Sequence, residues 1–179
     1  MSNLKRFVRT VPDFPIPGIQ FRDITSLCAG PGFAQTVEAL SLATETHQAT
    51  VVVGIESRGF VFGAPVAYKH SIPLIFARKP GKLPNATVSK DYNLEYGKAT
   101  LEIQTCEPLD EQSRVVIVDD LIATGGTAIA CADLVHEQFG VPKQNILVLC
   151  VIDLPDLGGS AKLKDLGYNV KYVMEFEGE

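Results

Sequence analysis

A chain of 179 residues, 46% of them hydrophobic, can bury a core without disulfides or a structural metal and fits one domain. Its formal net charge of −5 excludes a broad electrostatic footprint for nucleic acid or an anionic membrane, so any basic cluster has to be local. The segment MSNLKRFVRTVPDF holds no apolar stretch of signal-peptide length, and nowhere do about 18 apolar residues run uninterrupted, so a cytoplasmic protein is expected.

Leu4, Phe7, Val8 and Val11 fall on one helical face behind Ser2 as a cap, which predicts a short amphipathic helix over 3–11, stopped by PDFPIPG. Phe33, Val37 and Leu40 predict a second helix, and ATVVVGI a buried strand. GFVFGAPVAYKH reads as a helix with Pro65 expected in its first turn, and IPLIFA returns to strand. Beyond a long polar stretch over 78–98, ATLEIQT alternates as a half-exposed strand and RVVIVDD reads as a buried one. A helix over 126–139 follows, with Ala128, Cys131, Ala132, Val135 and Phe139 on one side, and then the strands NILVLCVID and VKYVMEF.

Continuous Val/Ile/Leu strands alternating with helices predict an α/β fold, a mainly parallel central sheet flanked by helices on both faces. Ligands of such sheets bind beyond the carboxyl ends of the strands. The stretch over 78–98 is too long for an idle connection and is expected to be a mobile lid or a two-stranded flap. Cys28, Cys106, Cys131 and Cys150 form no C-x-x-C pair, and His47, His70 and His136 have no ligand spacing, so reduced thiols and ordinary histidines are expected in place of a zinc site.

The chemistry concentrates in RVVIVDDLIATGGT. The glycine pair allows a tight turn with converging N–H groups, the following helix adds its positive end, and Thr124 and Thr127 add hydroxyl donors, together a cradle for a phosphate. A helix N-cap at Thr124 would explain TGG but not two consecutive acids closing an apolar strand. Two carboxylates beside a phosphate repel it unless something neutral lies between, and a ribose does so: vicinal hydroxyls donate to Asp119 and Asp120 while its 5-phosphate reaches the turn. GIESRGF has a P-loop-like glycine spacing, but Phe60 stands where the phosphate-binding lysine belongs, and no G-x-G-x-x-G occurs.

An acid pair followed by ATGGT after a hydrophobic strand resembles the motif by which type I phosphoribosyltransferases bind 5-phosphoribosyl 1-pyrophosphate (PRPP). FPIPGIQFRDIT, GIESRGFVFG, RKPGKLP and YNLEYGKATLEIQ resemble, in order, successive signatures of the adenine phosphoribosyltransferase family. The resemblance implies a type I phosphoribosyltransferase fold over 1–179, with a small N-terminal hood at about 1–30 and a flexible flap loop at about 78–98. It implies transfer from PRPP to adenine, giving AMP and pyrophosphate, with Mg²⁺ held mainly through PRPP and water, and a homodimer.

By the same resemblance Asp119 and Asp120 hold the ribose hydroxyls near the developing cation, and Ala123, Thr124, Gly125, Gly126 and Thr127 bind the 5-phosphate. Arg58, Arg78, Lys79 and Lys82 take the pyrophosphate; the stretch over 78–98 carries five basic residues against two acidic ones, a local +3. Glu95 exchanges a proton or hydrogen bond with the base, Tyr96 covers the reaction centre, and Gly97 is a hinge. Phe21 stacks on the base, the Gln20 backbone meets its edge, Arg22 is a base-side contact, and Leu157 closes the opposite side. Asp153 stands where the family often has Glu. Two other readings remain, a transferase for another purine base and a non-catalytic PRPP-binding regulator. The second would add a DNA-binding module or a broad basic face, and this acidic chain displays neither.

Overall fold

The computed structural model describes residues 4–94 and 97–177. The helix expected over 3–11 is replaced by one 3-10 turn, Leu4–Phe7, followed by strand Arg9–Pro12 (β1), which pairs antiparallel with Gln20–Asp23 (β2). Pro12 disfavours a helical Val11, and the extended backbone pairs Val11 with Phe21. Leu4 and Val8, read as one helical face, still reach the core. Two helices follow, Thr25–Cys28 (α1) and Gly32–Thr46 (α2).

Val51–Ile55 (β3) is buried at all five positions, as a β-branched run between two covering layers must be. Arg58–His70 (α3) leads to Leu74–Ala77 (β4). Pro65 lies in the middle of α3, not in its first turn as expected. Burial of Phe62, Gly63, Val66 and Ala67 on the sheet outweighs the one backbone hydrogen bond that proline forfeits. Thr87–Leu94 (β5) and Gly97–Gln104 (β6) form an antiparallel hairpin, so of the two forms expected for this region the structure takes the two-stranded one. Leu101 and Ile103 at its base are buried in the core.

The remaining elements are Val115–Ile122 (β7), Gly126–Phe139 (α4), Ile146–Asp153 (β8), Gly159–Asp165 (α5) and Asn169–Glu175 (β9). Strand β7 does not end on its acids; it continues for two residues beyond them. The central sheet has the order β4-β3-β7-β8-β9 and every pairing in it is parallel. Successive residues of a strand face opposite layers. Val52, Val116, Val118, Leu147 and Leu149 meet α2 and α3, while Val53, Val115, Ile117, Ile146 and Val148 meet α4, α5 and the hairpin base.

This order reverses direction between β3 and β7, and the crevice at such a switch point is where an open α/β sheet receives its ligand. Helix α3 approaches β7 there with no room to spare. A Cβ on Gly59 would stand 2.4 Å from the Val118 carbonyl oxygen, so only glycine lets the helix start lie against the strand. Gly59→Ala is therefore expected to lower stability by about 1–3 kcal/mol, as overpacked substitutions do. A urea titration checks this, and an unchanged midpoint would mean that α3 does not press on β7.

Candidate active site

Three neighbouring strands carry acids at or near their carboxyl ends: Glu56 follows β3, Asp119 and Asp120 precede the last two residues of β7, and Asp153 closes β8. Parallel pairing places these ends in one row, and each acid has a different partner.

Asp120 is 5% exposed, and its Oδ2 lies 3.0 Å from Arg58 Nε, at the start of α3 across the switch point. The contact is Coulombic, because the same oxygen has no aligned hydrogen bond among the described residues. Asp119 Oδ1 accepts the Asp120 backbone N–H at 2.8 Å. Burial, followed by the neighbouring Asp120 carboxylate, pushes the Asp119 carboxyl well above its ordinary value, against the opposing pull of that N–H and of Arg58.

The turn after β7 is shaped by glycine. Gly125 precedes α4 with φ +84°, and α4 has no side-chain cap on its first N–H groups. The N-cap position thus belongs to Gly125 and not to Thr124, and the first N–H groups of α4 are left without a side-chain cap at the positive end of the helix. Behind the turn, Gly159 N–H donates to the Ala123 carbonyl at 3.1 Å. On the flap side, a Cβ on Gly126 would stand 2.8 Å from the Asn93 carbonyl oxygen of β5. Ala123, Thr124 and Gly125 thus form the turn that follows Asp119 and Asp120 on β7, and Gly126 and Thr127 open α4.

Of the basic residues assigned to pyrophosphate, Arg58 lies at the acid pair. Arg78 donates through Nη2 to Glu56 Oε1 at 2.8 Å and through Nη1 to the Lys82 carbonyl at 3.2 Å, and Glu56 Oε2 accepts the Lys79 N–H at 3.0 Å. The Arg78 hydrogen bond is the main reason that the Glu56 carboxyl lies below its usual range. Arg78 thus braces its own loop on the end of β3 while Lys79 and Lys82 remain exposed. The brace was not read from the sequence. The acid closing VVVGIE was the signal that could have revealed it, being the same signal that marked Asp119 and Asp120.

The β1–β2 hairpin stands over the far end of the row. Phe21 is half-buried and meets Phe14 edge-on, with ring centroids 5.0 Å apart, and Gln20 is half-buried beside it. Arg22 donates to Thr10 Oγ1 at 2.7 Å and to the Glu177 carbonyl at 3.1 Å, and its guanidinium lies over the Phe176 ring. Its side chain thus fastens the hairpin to the end of β9. Phe176 N–H in turn donates to the Asp153 carbonyl, which places the hairpin next to the end of β8. Leu157 is half-buried on the 3-10 turn Pro155–Leu157 that follows. Glu95 and Tyr96 lie outside the described residues; Gly97 next to them has φ +106°, which suits a glycine hinge.

His47, His70 and His136 each place a ring nitrogen on a backbone carbonyl, and all four cysteines are free. Among the described residues no helix is long and apolar enough to cross a membrane. Asp119 supplies a test of the crevice. Its raised carboxyl costs the folded state nothing below the ordinary value of 3.8; the cost grows as the pH rises from there to the folded value and is fully present above it. Asp119→Asn is expected to raise the urea midpoint of the ligand-free protein near neutrality, the gain shrinking as the pH falls toward 3.8.

A family model described as a phosphoribosyl transferase domain matches residues 23–156. An adenine phosphoribosyltransferase of Erythrobacter litoralis is 49% identical over 179 residues, 99% of this chain and 98% of that one. Among solved structures, the adenine phosphoribosyltransferase of Thermoanaerobacter pseudethanolicus superposes with TM-score 0.87 at 40% identity, covering 97% of this chain and 98% of the other. The Giardia lamblia enzyme complexed with 9-deazaadenine gives TM-score 0.90 at 30% identity, covering 98% and 97%.

Proposed function

The chain belongs to the adenine phosphoribosyltransferase family, and from that membership we propose that it transfers the 5-phosphoribosyl group from PRPP to adenine, giving AMP and pyrophosphate in cytoplasmic purine salvage. One observation carries the reading: two carboxylates, a cation and an uncapped glycine turn meet at the switch point between β3 and β7. A ribose 5-phosphate with a polyanionic leaving group satisfies all three at once.

Displacement at the anomeric carbon passes through an oxocarbenium-like state, so positive charge grows on the ribose and negative charge on the departing pyrophosphate. Asp119 and Asp120 accept the ribose hydroxyls and lie beside the growing cation. Residues 123–127 hold the 5-phosphate with backbone and hydroxyl donors. Arg58, Lys79 and Lys82 face the pyrophosphate, and Arg78 acts on it from the Glu56 brace. Mg²⁺ arriving with PRPP would be held mainly through PRPP and water, with the hard carboxylate oxygens of the acid pair beside its water shell. Bound there, the metal would neutralise part of the pyrophosphate charge.

The hood and flap supply base recognition within a single domain. Phe21 stacks on adenine, the Gln20 backbone meets its edge, Arg22 contributes to the base side while fastening the hood, and Leu157 closes the opposite face. Glu95 exchanges a proton or hydrogen bond with N7 as the flap closes about Gly97, and Tyr96 covers the reaction centre. A homodimer is part of the proposal: α3 and the edge strand β4 expose Val61, Tyr68 and Phe76 by 43%, 87% and 44%, an apolar face suited to a second copy. Strand β4 runs directly into Arg78, so that face carries a basic residue of the loop toward the neighbouring site.

The test is product formation from PRPP and Mg²⁺ with adenine, hypoxanthine, guanine and xanthine offered in parallel. AMP from adenine is expected in clear excess over the other nucleotides, and its absence would overturn the reading. Glu95→Gln is expected to lower turnover by roughly 10²–10⁴-fold with PRPP affinity retained. Unchanged turnover would remove Glu95 from the proton transfer.

A further inference from the structure

Asp153 closes β8 with 1% exposure, and a carboxylate so placed needs a partner. Its Oδ2 accepts the Ser160 hydroxyl at 2.8 Å, while Oδ1 has no hydrogen-bond partner among the described residues. Ser160 is itself 6% exposed, the second residue of α5. The bond is therefore internal, and neither member touches the crevice as a free side chain.

The bond closes a ring of contacts behind the phosphate turn. Asp153 is in register with Ile122 at the end of β7, and Leu154 N–H donates to the Ile122 carbonyl at 3.0 Å. Ser160 follows Gly159, whose N–H donates to the carbonyl of Ala123, the residue after Ile122. The circuit Ile122, Asp153, Ser160, Gly159, Ala123 thus returns to its start through one strand pairing, one side-chain bond and one backbone bond.

The fit within this circuit is tight. A Cβ on Gly159 would stand 2.3 Å from the Ala123 carbonyl oxygen and 2.6 Å from Gly125 N, and one on Gly125 would stand 2.9 Å from Gly159 Cα. The two glycines lie back to back, so the position of the α5 start dictates the position of the turn. Engaging the Ala123 carbonyl from behind also occupies an oxygen that would repel a phosphate if it turned inward.

We infer that Asp153 and Ser160 are positioning residues for the 5-phosphate: their buried bond holds the Gly158–Gly159 backbone against residues 123–125 and thereby sets the turn that receives the phosphate. This rests on the functional reading above for the identity of the phosphate, and on the geometry of the circuit for the role of the pair. The pair acts through the turn's backbone, so its loss weakens everything held by the 5-phosphate and leaves base recognition at the hood intact.

The experiment compares Ser160→Ala, Ser160→Thr and Asp153→Asn with the wild-type chain, using ribose 5-phosphate as a calorimetric probe and steady-state kinetics with PRPP and adenine varied separately. Ser160→Ala is expected to weaken ribose 5-phosphate binding and raise KM for PRPP about tenfold, the range of outer-shell positioning changes, with KM for adenine and kcat within about twofold. Ser160→Thr, which retains the hydroxyl, is expected to restore both, and Asp153→Asn, which retains an acceptor oxygen, to lie between. A folded Ser160→Ala protein with unchanged ribose 5-phosphate affinity overturns the inference, as does an equal loss in every kinetic parameter. If Ser160→Ala does not fold, Asp153→Asn decides by the same split. Wild-type protein that binds ribose 5-phosphate but forms no AMP overturns the functional reading alone.

Discussion

The molecule is organised around the cost of holding two adjacent carboxylates near the end of a buried central strand. Strand β7 is covered on both faces, and its valine and isoleucine run delivers Asp119 and Asp120 into a crevice where burial disfavours charge. The fold supplies only part of the compensation, through the Arg58 contact and one backbone N–H. What remains is a cost of charge burial at Asp119 that the described residues do not offset. Stability given up at such a point is the usual companion of a site shaped for a ligand and not for its own rest state.

That arrangement was largely legible in the sequence, because its signals are local. A β-branched run ending in acids, followed by a small glycine-rich turn and an amphipathic helix, means the same thing wherever it occurs, and α4 lies over 126–139 as read. The strands of the central sheet were legible for the same reason. The N-terminal hairpin was not. Leu4 and Val8 have helical spacing and do reach the core, but Val11 is claimed by pairing with Phe21, a contact between segments on either side of the proline-rich turn. Pro65 misled in the opposite direction, since tertiary burial holds α3 through a residue that local propensity places only at a helix start.

Outside the turn after β7, the pairings that the sequence did not reveal join acids at strand ends to the loops and helix starts opposite them. Glu56 holds Arg78 and the Lys79 N–H; Asp153 holds Ser160. Both are acids at strand ends, yet their meaning depends on which loop the fold brings opposite them, and spacing along the chain does not encode that. Arg22 shows the same limit. Its position beside Phe21 suggested a base-side contact, but its contacts with Phe176 and the Glu177 carbonyl are made across the fold and were not readable from that position.

Three backbones close on β7 and the turn that follows it, and each approach is permitted by a glycine. Gly59 brings α3 onto Val118, Gly159 brings α5 onto Ala123, and Gly126 brings the flap strand's Asn93 carbonyl to the phosphate turn. Contacts of this kind have no side chain to re-pack, so they transmit displacement instead of absorbing it. The N-terminal hairpin is built differently: its aromatic Phe14 is 51% exposed, and Arg22 and the Arg9–Asp23 pair fasten it at its edges. Side chains there can change without moving β7. Under the proposed function, a rigid phosphate end and an adjustable base end divide the two halves of recognition between core and periphery, which is why the acid pair and its turn point to a sugar phosphate while the identity of the base rests on the hood and flap.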